Sequence, residues 1–394
     1  MIIATTREDP AVETRVAVTP ETVKRLAGLG ALVRVEAGAG LASGFTDADY
    51  QAAGATIAAS ASQALSGADI VLKVRRPSAA ELAHIQKSAL VIAIMDPYGH
   101  ADALNAMAAA GVSSFAMELM PRITRAQVMD VLSSQANLAG YRAVIDASAE
   151  YGRALPMMMT AAGTVPAARI FIMGAGVAGL QAVATARRLG AVVTATDVRP
   201  SAKEQVESLG AKFIAVEDEE FKQAETAAGY AKEMSAAYQA KQAELVASHI
   251  AKQDIVVTTA LIPGRAAPKL VSAAMVASMR PGSVIVDLAV ERGGNVEGAK
   301  AGETVVSANG VKIVGHANMP GRLAASSSSL YAKNVLAFLE TMIDKNAKTL
   351  AVKWDDELVK ATLLTKDGAV VHPSFAPKPA EPTAAGAAPD PHSG

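Results

Sequence analysis

Short apolar runs punctuate the chain in two successive series. Residues 2–6, 32–37, 55–58, 69–74, 90–95 and 112–119 read as strands separated by helical segments, and the alternation restarts at 169–173, 191–197, 212–216, 254–259, 283–288 and 311–314. Runs of this kind, spaced by helix-length segments, describe mainly parallel sheets covered on both faces. Pro20 and Glu21 open a helix that Gly28 and Gly30 end. Between the two series, 122–154 has few breakers and sets Val128, Val131, Leu132, Leu138, Val144 and Ile145 at helical spacing, so it reads as a long helical connection. Residues 328–345 predict an amphipathic helix that crosses back to the first domain and makes it discontinuous. The expected domains are 1–135 plus 327–372, then 136–326 beginning with the connecting helix. The Pro/Ala-rich tail at 373–394 reads as disordered.

Residues 169–197, RIFIMGAGVAGLQAVATARRLGAVVTATD, add chemistry to this pattern. The run 170–173 suits a strand buried on both faces, and Gly174 can turn the backbone sharply at its end. Gly176 has no side chain to block a pyrophosphate. Gly179 lets the following helix pack close to the strand, and the N–H groups of that helix, beginning at Val177 and Ala178, point at the phosphates together with its positive dipole end. Asp197 closes the second strand, where a carboxylate can accept both ribose hydroxyls and repel a 2′-phosphate. NAD is therefore expected over NADP, with Val198 and Arg199 following directly and Arg199 weighing slightly against that preference. The fold class is α/β, with two doubly wound Rossmann-like domains. The stretch 170–186 carries no charge, yet its glycines, its flanking Arg169 and Arg187 and its length argue for strand–turn–helix over a membrane span.

A second glycine cluster, Gly38, Gly40 and Gly44, also follows a strand but fails on context. No acid ends the next strand, and FTDADY at 45–50 stands where a phosphate-facing helix would begin, so this reads as a structural loop.

Composition narrows the classes. At 394 residues the chain is too long for one core, and its 51% hydrophobic content suits packed domains. A formal charge of −1 and the lack of any Lys/Arg-rich run set nucleic acid aside as a partner. With no cysteine, disulfides and thiolate metal sites are excluded. The first residues, MIIATTREDP, lack a signal-peptide pattern and no run reaches spanning length, so a cytoplasmic chain is expected, with any membrane connection made through a partner subunit.

Further segments carry a family likeness: TRVAVTP at 14–20, EAGAG at 36–40, FTDADYQAAGA at 45–55, MELMPRITRAQVMDVLSSQANLAGYRAV at 117–144, TTALIPG at 258–264, PGSVIVDLA at 281–289 and NGVKIVGHANMPGR at 309–322. Together they resemble the alanine dehydrogenase and nicotinamide nucleotide transhydrogenase family over nearly the whole chain except the tail. Alanine dehydrogenases of that family bind a 2-oxo acid with an arginine and a lysine and use a histidine for acid–base work. Arg15 and Lys73 match the two cations and read here as structural charges. Met95 and Asp96 stand where the histidine would be, with His100 too far along.

The resemblance to the transhydrogenases implies more. There a loop of arginine, glutamine and aspartate holds the nicotinamide and its ribose, matching Arg122, Gln127 and Asp130, with Ser133 just beyond. Hydride transfer between two nicotinamides needs rings held face to face without water, and no general acid or base. Gly229 and Tyr230 match a mobile loop over the nucleotide, although 222–244 alone reads as a lysine-rich surface helix. Thr259, Ala260 and Leu261 fall in the second nucleotide loop. Asp287 and His316 sit near strand ends, where a turn-capping or scaffold role is as natural as a ligand role. The resemblance thus implies an NAD(H)-binding component of a proton-translocating transhydrogenase. It would be a homodimer at the inner membrane, held there by membrane-spanning partner subunits, with NADP(H) on a partner domain. An NAD-dependent alanine dehydrogenase and a non-catalytic NAD-binding regulatory protein stay open as alternatives.

Overall fold

The computed structural model describes residues 1–224 and 234–377. The first series of apolar runs forms β1 (Ile2–Thr5), β2 (Leu32–Glu36), β3 (Thr56–Ala58), β4 (Ile70–Arg75), β5 (Leu90–Ile94) and β6 (Ser113–Ala116). These strands pair in parallel in the order β6-β5-β4-β1-β2-β3. IVLKVR in β4 and LVIAI in β5 are almost wholly buried, as continuous apolar runs in a doubly covered sheet should be.

The connection differs from its expected extent. Its helix, α1, spans Val131–Glu150, and Thr124–Met129 form a tighter 3-10 segment before it. Asp130 divides the two: its backbone is extended and its carboxylate accepts from the Ser133 N–H at 2.9 Å, which starts a new helix. Val131 and Val144 are buried, whereas Val128 and Leu132 face outward. The buried face of α1 is instead made largely of small residues, Ala139, Gly140, Ala143 and Ala147.

The second series forms β7 (Arg169–Met173), β8 (Val192–Thr196), β9 (Lys212–Phe213), β10 (Ile255–Thr258), β11 (Val284–Asp287), β12 (Thr304–Val306) and β13 (Lys312–Val314), with α2 (Val177–Arg188) after β7. The order β9-β8-β7-β10-β11-β13-β12 is parallel except at the edge strand β12, which the apolar pattern does not announce. Strand order reverses at β7, so a crevice opens at the carboxyl ends of β7 and β10. A hairpin of Met158–Thr160 and Gly163–Val165, exposed at every residue, also lacks a pattern that would reveal it.

The chain then returns. Helix α3 (Ala324–Glu340) inserts Tyr331, Val335, Phe338 and Leu339 into the first core, and its buried Ser328 hydroxyl accepts from the Val16 N–H at 2.9 Å. Two further strands, β14 (Leu363–Lys366) and β15 (Ala369–Val370), extend the first sheet antiparallel beyond β6. The first domain is thus discontinuous. Past residue 373, Phe375 packs edge-on against Tyr98 with ring centroids 4.9 Å apart, so the packed chain runs further than its Pro/Ala-rich composition suggests.

One backbone contact joins these parts. A Cβ on Gly140 of α1 would lie 2.0 Å from the carbonyl oxygen of Ala178, in the first turn of α2. Only glycine permits α1 to cross α2 this closely. Gly140→Ala must push the helices apart, at a cost of about 1–3 kcal/mol. The denaturation midpoint is expected to fall; an unchanged midpoint would mean that the helices slide without loss.

Candidate functional site

Parallel register aligns the ends of β7, β8 and β10, with Met173 opposite both Thr196 and Thr258, so three loops emerge side by side. Gly174 lies in the left-handed region, at a φ of 106°, and its Cβ would meet Thr259 Oγ1 at 2.4 Å. That hydroxyl donates to the Gly174 carbonyl at 3.2 Å, tying the first loop to the third. A Cβ on Gly179 would fall 1.7 Å from the Gly174 carbonyl oxygen, which explains the close approach of α2 to β7. Gly176 is different: nothing stands within 4 Å of its missing Cβ. It occupies the N-cap of α2 without a side-chain cap, leaving first-turn N–H groups such as those of Val177 and Ala178 directed outward. The look-alike Gly40 has the opposite surroundings, since its Cβ would strike the Tyr50 ring at 2.6 Å, and that ring fills the space a phosphate would need.

Asp197 accepts from the Ala175 N–H at 2.7 Å, from the Arg199 N–H and Nε at 2.9 Å each, and from the Arg199 guanidinium a second time at 3.1 Å. Its carboxylate is therefore engaged on both oxygens, mostly by Arg199. Val198 and Leu261 are exposed apolar residues beside it and on the third loop. Ala260 is held twice by the buried Asn295, which receives the Ala260 N–H at 3.0 Å and donates to the Ala260 carbonyl at 2.9 Å. Nothing in the spacing of Asn295 singles it out. Asp287, completely buried, accepts from the Ala289 and Val296 N–H groups and so braces the next loop.

The Arg122 segment lies at the start of α1. Arg122 and Gln127 are exposed, and among the described residues neither has a hydrogen-bond or ion-pair partner. Asp130 does not contact Arg122; it accepts from the Ser133 N–H at 2.9 Å and hydroxyl at 2.5 Å. Ten residues of helix, about 15 Å, separate this cap from the crossing over Ala178. Gly229 and Tyr230 lie outside the described residues.

A cleft of about 1120 Å³ opens on the first-domain side, rimmed by Glu291 and Asn318 from the second. None of the nucleotide-loop or Arg122-segment residues line it. Its charges are paired internally. Arg15 grips Glu13 through two bonds of 2.7 Å, Arg75 adds a third at 2.8 Å, and Arg15 also donates to Gln135 of α1 at 2.8 Å. Burial alone would raise the Glu13 pKa, but the hydrogen bonds of Arg15 and the two guanidinium charges outweigh it and hold the carboxyl at about 2. Lys73 sits 2.7 Å from Glu81 and 3.5 Å from Glu8. Against a like burial cost, the nearer carboxylate has its pKa lowered, whereas burial wins at Glu8 and raises it.

His316 is bound up elsewhere: its Nδ1 lies 3.0 Å from Asp146 of α1, a carboxylate that also accepts from Arg142 and Arg322. It is a scaffold contact between α1 and the end of β13. Among the described residues no helix is long and apolar enough to cross a membrane.

Known proteins match this architecture along its length. The profile described as "Alanine dehydrogenase/PNT, N-terminal domain" matches residues 4–139, and its C-terminal counterpart matches 143–373. The chain is 56% identical over 380 residues to the first of the polypeptides that make up NAD(P) transhydrogenase subunit alpha in Rhodospirillum rubrum, covering 95% of this chain and 99% of that one. A crystal structure of transhydrogenase from Sinorhizobium meliloti superposes with a TM-score of 0.86 at 64% identity, over 94% of this chain and 99% of the other. The alanine dehydrogenase of Halomonas elongata is 30% identical, over 95% of this chain and 96% of its own. By sequence and by fold, the chain belongs to the alanine dehydrogenase/PNT family.

Proposed function

We propose that this chain is the NAD(H)-binding component of a proton-translocating transhydrogenase, an oxidoreductase subunit that passes a hydride to NADP⁺ held on a partner domain. The observation that carries the reading is the pairing of two features: an open, uncapped α2 N-terminus beside Asp197, and the partnerless Arg122 and Gln127 at the head of the helix that crosses it. The names of the transhydrogenase relatives support it.

The residues fit a dinucleotide. The vacant side of Gly176 and the outward N–H groups of Val177, Ala178 and Gly179 suit a pyrophosphate. Val198 and Leu261 offer apolar contact beside the ribose position. For Asp197 to accept the ribose hydroxyls, Arg199 has to yield some of its bonds. Thr259, Ala260 and Leu261 form the third wall, stiffened by Asn295, and Tyr230 with Gly229 would cover the nucleotide by family likeness.

Bound NADH supplies the hydride; the chain holds and dries the ring. Arg122 carries donors for the carboxamide and Gln127 both a donor and an acceptor, while the Asp130–Ser133 bonds fix the segment that presents them. The ion-paired cleft bears on the alanine dehydrogenase alternative, because Arg15 and Lys73 already hold carboxylates of this chain and Asp96 replaces the histidine. We also infer a homodimer, supported by the exposed Met157, Met158, Met159 and Val165 of the hairpin, and attachment to membrane-spanning partners.

Three outcomes test the reading. The purified chain should give no NADH from alanine and NAD⁺, yet transfer hydride once an NADP(H)-binding transhydrogenase domain is added; turnover of alanine would overturn it. Gln127→Asn should slow hydride transfer about 10- to 100-fold with NADH affinity nearly unchanged, since it displaces the ring and not the adenosine anchor. A large affinity loss at normal turnover would contradict that role. Asp197→Asn should reduce the preference for NADH over NADPH about tenfold, because an amide neither repels a 2′-phosphate nor neutralises Arg199. Competition binding of the two nucleotides decides this, and an unchanged ratio removes Asp197 from ribose recognition.

A further inference from the structure

Asp96 and Arg292 meet across the cleft, the first from the end of β5 and the second from the loop after β11. Three observations make this more than a chance surface pair. Asp96 has a φ of 48°, a left-handed backbone that aspartate tolerates and most residues avoid. Its conformation is fixed from both sides: the buried Glu118 carboxylate accepts the Asp96 N–H at 2.5 Å and the Met95 N–H at 2.9 Å, while Arg76 donates to the Met95 and Asp96 carbonyls at 2.9 and 3.0 Å. The carboxylate is thus aimed before its partner arrives, which spares the ordering entropy that makes ordinary surface ion pairs weak.

The other half is equally anchored. The Arg292 carbonyl accepts the Ala267 N–H at 2.8 Å, and Asn295, three residues on, clamps Ala260 and donates to the Pro268 carbonyl at 2.8 Å. The loops after β10 and β11 therefore behave as one body that includes the third nucleotide loop. Two residues past Asp96, Tyr98 lies against Gly264 of that body, where a Cβ would sit 2.6 Å from its ring. On its other side Tyr98 is packed by Phe375.

We propose that Asp96 and Arg292, backed by the Tyr98–Gly264 contact, are a latch that holds the two domains together and sets how fast nucleotide leaves the loop at Thr259–Leu261. Both are positioning residues; neither touches the reacting ring. The proposal rests on the reading above only for the identity of the ligand released.

The cysteine-free sequence allows two clean spin labels, at the exposed Asn105→Cys in the first domain and Ala301→Cys in the second. Their distance distribution, measured without nucleotide, should be narrow in the parent and broaden in Asp96→Asn, which keeps the left-handed backbone accessible, and in Arg292→Gln. The double variant should add nothing to either single one. The parent should broaden in the same way between about 0.1 and 1 M salt, as the screening length falls from about 10 to about 3 Å, while the variants stay unchanged. NADH release by stopped flow should quicken up to about fivefold in each single variant. Distributions and release rates identical to the parent in both variants would overturn the latch. Failure of the chain to bind NADH would overturn the preceding reading instead, and the distances would still decide the latch.

Discussion

The site depends on one contact between backbones, the passage of Gly140 over the Ala178 carbonyl. It sets how closely α1 lies against α2, and therefore where the segment headed by Arg122 stands relative to the open end of α2. The crossing contains no charge and no specific hydrogen bond; it is a steric allowance, and a single methyl group would remove it. Around it the buried face of α1 is lined with alanines, which let a helix pass between two sheets without displacing either. Asp146 on the same helix then gathers Arg142, Arg322 and His316, tying the crossing to the end of the second sheet.

The cleft shows how a family scaffold can be turned from one chemistry to another by internal pairing. Two cations that could hold a substrate carboxylate are met by Glu13, Glu8 and Glu81 of the chain itself. A buried cation whose partner is supplied intramolecularly has little left to offer a ligand, because displacing that partner would strand a buried carboxylate. With no imidazole at Asp96, the cleft has no evident proton shuttle, in keeping with a transfer in which only a hydride moves.

Much of this was legible in the chain. The alternation of apolar runs foretold both sheets, because strands covered on two faces must be apolar throughout, and the nucleotide loop was legible because each of its glycines answers a separate steric demand. Gly40 and Gly176 are alike in sequence context up to the next strand, and the lack of an acid after the former was enough to separate them before the Tyr50 ring was seen filling its space. What escaped notice has a common cause. The starting point of α1 depends on a cap at Asp130 that competes with an otherwise continuous helical pattern. The 158–165 hairpin buries nothing within the chain, and β12, β14 and β15 are short edge strands with little apolar content. Asn295, Glu118 and Gly140 act through partners distant in sequence, and no local spacing encodes those.

The discontinuity of the first domain has a consequence for how the molecule comes into being. Ser114 on β6 and Thr365 on β14 bond through their hydroxyls at 2.7 Å although 251 residues separate them. During synthesis the second sheet, drawn from one uninterrupted stretch, can be completed while β6 still presents a bare edge and the first core lacks Tyr331 and Phe338. That core must wait for the last part of the chain to leave the ribosome, so a half-made molecule carries an unguarded strand and an open apolar face. Contacts of such high sequence separation slow closure and make the newborn first domain a natural client for chaperones, long before any nucleotide is bound.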